Sequence, residues 1–279
     1  MTAALCLQTL QRCARQFSEA SGKHLCRWDW EVAIAPQQRT LEFLKETVQK
    51  LYRIIKDCEA MVCKKWPALQ PTLPATCHFV TSEELHTLWP EQGIHGREDK
   101  AVEKWGAVFI LGMGWPMQDG SAPEEVRVGS PPRGPSSATP PFLQELLSAA
   151  FSAHELRYSL ISMSLRILTE GTRFGMHVQV RAPDYDDWLL NGDIIVRHPH
   201  TGYRHELSSM GIRVDAGALE KQLAHRGMSG RLNLDYHKAI MDGKLPLCMG
   251  GGVGISRLLM LVLQRGHIGE VQVCESSAK

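Results

Sequence analysis

Residues 250–258 read Gly-Gly-Gly-Val-Gly-Ile-Ser-Arg-Leu, where a strand should turn into the final helix. Glycines let a ligand approach the backbone closely, and a helix N-terminus favours an exposed anion by about 0.3–1 kcal/mol. A nucleotide phosphate suits that chemistry, and so does simple strand-helix packing, so the run alone leaves both open. The spacing is neither GxGxxG with a following ribose-binding acid nor GxxxxGK[ST], which removes the dinucleotide and P-loop readings. Residues 181–188 gather Arg181, Asp184, Asp186 and Asp187 into a short stretch. That is too much charge for an ordinary buried strand, so these side chains are expected to face solvent or a ligand. Asp193 and Glu206 stand ahead of, or at the head of, strand-like runs, where carboxylate oxygens serve a hard cation or simply a solvated turn. Cys77-His78, on opposite faces of a strand, and His198-x-His200, beside Pro199, read as structural. No Cys-His nucleophile of the glutaminase kind is evident.

The elements that would hold these residues follow from periodicity. Leu41, Leu44, Val48, Leu51, Ile55, Cys58 and Met61 draw one stripe on a helix over 40–62. Cys77–Val80 reads as a strand, and Thr81 with Glu84 forms a capping box opening a helix halted by Pro90. Further strands are expected at Ala107–Leu111, His177–Val180, Asp193–Val196 and Glu206–Val214. A helix is expected over Asp215–Arg226, closed by Gly227, and another over about 254–264. Six of the 15 prolines fall within Pro123–Pro141, as in a linker, and an apolar, Ser-rich stretch at 142–167 could make one helix. Residues 120–176 are accordingly read as an insertion in an α+β or α/β domain.

The 279 residues allow one large or two modest domains, with 43% apolar and 22% charged residues, close to the globular average. With 31 basic and 30 acidic residues the chain has no general attraction for nucleic acid or an anionic membrane. Its longest apolar runs fall short of the roughly 18 residues of a membrane span. Eight cysteines without a CxxC pair fit reduced thiols in the cytosol. Arg12 and Arg15, with no acid before Glu19, give only a weak presequence signal.

Six strings then occur in one order: RWDWE (27–31), GREDKAVEKWGAVFILGMG (96–114), VRAPDYDDW (180–188), LNGDIIV (190–196), ELSSMGIRVD (206–215) and GGGVGISRLLMLVLQRGHIGEVQ (250–272). Over residues 27–120 and 178–273 the chain closely resembles ammonia-dependent asparagine synthetase, or aspartate-ammonia ligase, a relative of aspartyl- and asparaginyl-tRNA synthetases. The resemblance implies a class II synthetase-like antiparallel sheet flanked by helices, and a homodimer. It implies formation of asparagine from aspartate, ATP and ammonia through a β-aspartyl adenylate, with AMP and pyrophosphate as the other products. By the same resemblance Gly252, Gly254, Arg213 and Arg257 bind ATP, and Asp193 and Glu206 lie near the triphosphate with Mg²⁺. Asp29, Tyr185, Asp186, Ser208 and Ser209 would line the aspartate pocket, with Asp186, Arg213 and Arg257 catalytic.

The family pattern begins well ahead of RWDWE, with a dimerisation motif and a strand carrying a phosphate-binding arginine. Residues 1–26 show no counterpart, so the fold is expected to be N-terminally incomplete, with 27–279 as its catalytic domain. Arg27 stands where the family has a glutamine beside the substrate, and the family's loop between DYDDW and LNGD is reduced to Leu189-Leu190. The competing expectation is an impaired paralogue or splice form keeping only a nucleotide-binding half-site. A tRNA synthetase is disfavoured by the neutral charge and the lack of room for an anticodon-binding domain.

Overall fold

The apolar stripe after Thr40 forms helix α1, Leu41–Lys65, which continues past the expected end at Val62. The Thr40 hydroxyl accepts the Phe43 N–H at 3.1 Å, while Lys64 and Lys65 occupy the last turn, where the helix dipole favours cations. The structure, a computed structural model, describes residues 27–118, 120, 127–128, 178–179 and 181–271. The expected N-terminal segment, nearly all of the insertion and the helix anticipated at 142–167 lie outside the described residues.

Around α1 the chain runs β1 (Arg27–Ala33), β2 (His78–Thr81), α2 (Ser82–Leu88), α3 (Ile94–Trp105) and β3 (Ala107–Leu111). A two-stranded pair, β4 (Arg127–Val128) and β5 (Val178–Gln179), follows, then β6 (Asp186–Arg197) and β7 (Arg204–Arg213). The remainder is α4 (Ala216–His225), α5 (Asp235–Met241), β8 (Cys248–Gly254) and α6 (Ile255–Val262). The expected capping box opens α2: Thr81 accepts the Glu84 N–H at 3.1 Å and Glu84 accepts the Thr81 N–H at 2.7 Å. Asp215 caps α4, and Gly227, at φ +65°, lies just past its end.

Six strands form one sheet in the order β1-β8-β7-β6-β3-β2, antiparallel except for the edge pair β2–β3. That pair is parallel because α2 and α3 lie between the two strands and carry the chain back across, as a parallel pairing requires. One face packs Ile194, Met210, Ile212 and Val253 against α1 and α6. Among the described residues the other is covered over β2, β3 and one end of β6, where Val108, Ile110 and Ile195 meet Ala101 and Val102 of α3. Across β1, β8, β7 and the middle of β6 this second face is polar. Among the described residues no helix is long and apolar enough to cross a membrane.

The glycine run, expected where a strand passes into the final helix, forms the body of β8, and α6 follows it directly. Strand interiors disfavour glycine, and here close packing explains two of them. A Cβ at Gly251 would lie 2.4 Å from the Met210 Cβ and 2.8 Å from the Ser209 carbonyl oxygen. A Cβ at Gly250 would lie 2.4 Å from Nη2 of Arg213 and 2.6 Å from the Trp30 carbonyl oxygen. Gly251→Ala is therefore expected to cost about 1–3 kcal/mol by overpacking, read as a lower urea midpoint at unchanged m-value.

Candidate active site

Directly opposed residues of an antiparallel pair share one side of the sheet, so register assigns the polar face. Asp193 pairs with Ser209, Ser209 with Gly252, and Gly252 with Asp29, a row crossing β6, β7, β8 and β1. Asn191, Gly211, Gly250 and Glu31 make the next row. Glu206 opposes Ile195 on the same side, and Arg213 opposes Asp186. The sheet thus brings Asp29, Asp186, Asp193, Glu206, Ser209, Arg213 and Gly252 to one face. Ser208 points the other way: it opposes Ile194 and Val253 on the helix-covered face and is 2% exposed. Neighbours on a strand alternate, so Ser208 and Ser209 cannot both turn their hydroxyls to one pocket.

Arg213 is the hub of the β1 side. Its Nη1 contacts the Asp186 carboxylate, its Nε lies 3.3 Å from Glu31 Oε1, and its Nη2 donates to the Tyr185 hydroxyl at 2.8 Å. The guanidinium also lies 3.9 Å from the centroid of the Tyr185 ring. Burial lifts the Asp186 carboxyl above the usual range and the Arg213 charge opposes that shift. Tyr236 of α5 faces the same cluster, its phenol pushed up to about 12 by burial and by Glu31. Glu31 was not singled out from sequence, although its spacing of two from Asp29 places both on one strand face.

The acids of residues 184–187 are not turned to solvent; each meets a cation from elsewhere in the chain. Asp184 is held by Arg231 at 2.7 Å and His237 at 3.3 Å, Asp186 by Arg213, and Asp187 by Arg39 at 2.6 Å. Pairing lets Asp186 and Asp187, 5% and 6% exposed, enter a strand interior in place of the expected outward position. Across β6 and β7, Arg181 lies 3.1 Å from both oxygens of Asp193 and donates to the Ser209 hydroxyl at 2.9 Å. Among the described residues no group of three or more His, Cys, Asp or Glu could hold a metal ion without further ligands.

At the far end of β7 an open cleft of about 560 Å³ is lined by His95, Asp99, Tyr203, Arg204, His205, Glu206 and Arg257. That volume falls within the ordinary range for small-molecule sites. Gly254 ends β8 and precedes the first residue of α6, which places Arg257 in the helix's first turn. The Arg257 side chain is 40% exposed, and its Nη1 lies 2.9 Å from Glu206 Oε1 and 3.2 Å from the Glu206 carbonyl. Helix α3 supplies the opposite wall: Asp99 accepts the Arg204 N–H at 2.8 Å, and Arg204 pairs with Glu98 at 2.7 Å. These wall residues were not expected from sequence. The GREDK string at 96–100 held the signal, since it packs four charges ahead of a buried strand.

His205 donates from Nε2 to the Arg257 carbonyl at 2.8 Å. Burial lowers its pKa to about 4, although the bond to that carbonyl resists the shift. An unfolded histidine titrates near 6.5, so the unfolded chain binds the extra proton first as pH falls. The stability contributed by neutral His205 is complete above about pH 6.5 and is lost as pH falls toward 4. Against His205→Gln, which does not titrate, the chain is expected to lose on the order of 3 kcal/mol more over that window. Urea unfolding of both proteins at pH 7 and pH 4.5 measures it.

A family model for aspartate-ammonia ligase matches residues 9–129 and 165–278. Aspartate-ammonia ligases of Bacillus cytotoxicus and Bacillus cereus are each 35% identical over 269 residues, covering 95% of this chain and 65% of theirs. The chain thus spans 65% of the length of these relatives. The aspartyl-tRNA synthetase of Entamoeba histolytica superposes with a TM-score of 0.50 at 15% identity, over 91% of this chain and 44% of that one. That similarity shows the class II synthetase fold, as expected from the sequence. The family match shows that this chain belongs to the aspartate-ammonia ligase family.

Proposed function

We propose that the chain binds aspartate and ATP on the polar face of its sheet and forms asparagine from aspartate and ammonia through a β-aspartyl adenylate. The observation that carries this reading is the placement of two different recognition sites along one strand. The carboxylate-rich Arg213 cluster lies at one end of β7, and the cleft with Arg257 and Glu206 lies at the other. Family membership supports the same reading.

Glu31 and Asp186 flank Arg213 and Asp29 lies further along the same face, so carboxylates outnumber guanidinium groups and the cluster suits an ammonium group. An aspartate held there directs its β-carboxylate along β7 toward the cleft. In the cleft the partly exposed Arg257 guanidinium offers a planar cation for adenine stacking or phosphate pairing. A carboxylate oxygen of aspartate then forms a bond to the α-phosphorus as the bond to the pyrophosphate oxygen breaks. Ammonia next attacks the activated carbonyl carbon, and AMP departs with the carboxyl oxygen. The chain contributes positioning and electrostatics rather than a covalent relay.

Asp193 and Glu206 fit a magnesium site of the kind completed by a nucleotide, in which one or two carboxylates share the ion with phosphate oxygens. Both carboxylates face the polar side; Asp193 is paired with Arg181, which can turn to a phosphate instead, and Glu206 keeps the Arg257 guanidinium beside the ion. Magnesium bound there would neutralise the charge on the departing pyrophosphate. A homodimer and a cytosolic location belong to the same reading, on the family resemblance alone.

The experiment is to incubate the purified chain with aspartate, Mg-ATP and ammonium and to assay asparagine and AMP together. Equal yields of the two are expected. Neither product from folded protein, or AMP without asparagine, would overturn the ligase reading.

A further inference from the structure

We propose that His205 is a positioning residue for the nucleotide site: His205 and Glu206 grip Arg257 from the two faces of β7 and so fix where its guanidinium meets ATP. The proposal rests on reading Arg257 as a nucleotide contact. The pairing of β7 with β8 reaches only to Ser208 opposite Val253, so residues 204–206 project beyond β8, beside the first turn of α6. Consecutive residues of a strand point to opposite faces. Glu206, on the polar face, takes the Arg257 guanidinium at 2.9 Å through its carboxylate, and its own carbonyl adds a contact at 3.2 Å. His205 opposes Val196 on the helix-covered face and donates to the Arg257 carbonyl at 2.8 Å. One residue therefore holds the main chain of Arg257 and the next holds its side chain.

The His205 ring is itself backed by the β6–β7 turn. It packs edge-on against His198, with centroids 4.8 Å apart, and His198 Nδ1 accepts the N–H groups of His200 and Thr201 at 3.2 and 3.3 Å. Because a carbonyl can only accept, the bond to Arg257 requires the proton on Nε2 of His205. Helix α6 has eight residues, and its first turn carries the arginine, so a shift of that turn moves the guanidinium directly. A side chain fixed at both ends binds a ligand without first giving up rotamer freedom, which favours affinity.

The test compares Mg-ATP binding by calorimetry to the full chain and to His205→Asn, His205→Phe, His205→Gln, Arg257→Ala and the double variant Arg257→Ala with His205→Asn. A glutamine amide reaches the place of the histidine Nε2, whereas asparagine stops short and phenylalanine keeps only the ring. Affinity is expected to fall about five- to tenfold in the Asn and Phe variants, the worth of one hydrogen bond, and to stay within about twofold in the Gln variant. In the Arg257→Ala background His205→Asn is expected to add nothing. Aspartate affinity should not move in any His205 variant. The Asn variant, smaller than histidine, keeps the comparison available if phenylalanine overpacks.

Wild-type ATP affinity in the Asn and Phe variants, with a loss in Arg257→Ala, would overturn this proposal and leave the nucleotide site standing. A Gln variant as weak as Asn, or an additive double variant, would also overturn it, because His205 would then support the fold and not Arg257. Unchanged affinity in Arg257→Ala would remove the nucleotide reading and this proposal together.

Discussion

Arg213→Met is expected to cost the chain about 3–5 kcal/mol and to abolish aspartate-dependent turnover, because it leaves a carboxylate without its counter-ion inside the sheet. Asp186 is 5% exposed and faces Arg213 directly, while Tyr185 and Glu31 each lose a donor as well. The sign of the pH dependence makes this specific. Burial already lifts the Asp186 carboxyl, and without Arg213 only the weaker pull of Arg181 opposes that lift. A group whose folded pKa is raised stabilises the fold on protonation. The variant should therefore recover stability relative to wild type as pH falls from 7.5 to 5.5. Urea midpoints at the two pH values provide the comparison. Removing the carboxylate as well, in Asp186→Asn with Arg213→Met, should return part of the lost stability, whereas two independent sites would give additive losses.

Arg257→Ala should act on the opposite balance, with little effect on folding and a large one on the nucleotide. Its side chain is 40% exposed and its ion pair with Glu206 is open to solvent, where such pairs contribute about 0–1 kcal/mol. Loss of a charged donor to ATP is worth about 1.5–3 kcal/mol, so Mg-ATP affinity should drop roughly 10- to 100-fold. Arg257→Lys should recover only a small part, because an ammonium can neither stack on adenine nor donate in a planar fork. Calorimetric titration with Mg-ATP, beside a urea curve for each variant, separates the two effects. A parallel loss of stability and affinity would mean that Arg257 holds the fold and only indirectly the site.

The parts of the fold that were legible in the sequence are those set by local chemistry. The stripe from Leu41 onward, the Thr81–Glu84 box, the strand Ala107–Leu111 and the Gly227 stop each encode their own geometry over a few residues. A strand ahead of the last helix was expected, but its extension through the glycines was not legible, because such a run opposes strand formation and becomes a strand between β1 and β7, which pair along both its edges. The acids of 184–187 were visible as charges, but their partners Arg39, Arg213 and Arg231 lie far away in the chain. Long-range pairing leaves no local signature, so burial of Asp186 and Asp187 could not be read in advance. Ser208 and Ser209 show the same limit on a smaller scale. The string that contains them identifies the strand, and only its register against β8 decides which hydroxyl faces the site. His205 carried no motif at all and gains a role only where β7 outruns β8.

On the proposed function, this face activates aspartate with ATP before ammonia takes part. Exchange of labelled pyrophosphate into ATP, measured with aspartate and magnesium but without ammonium, tests it most directly. Exchange is expected to require aspartate, to find no support from glutamate, and to be lost in Arg257→Ala and Arg213→Met. Asparagine formation by a folded chain that shows no such exchange, or that releases ADP in place of AMP, would contradict it.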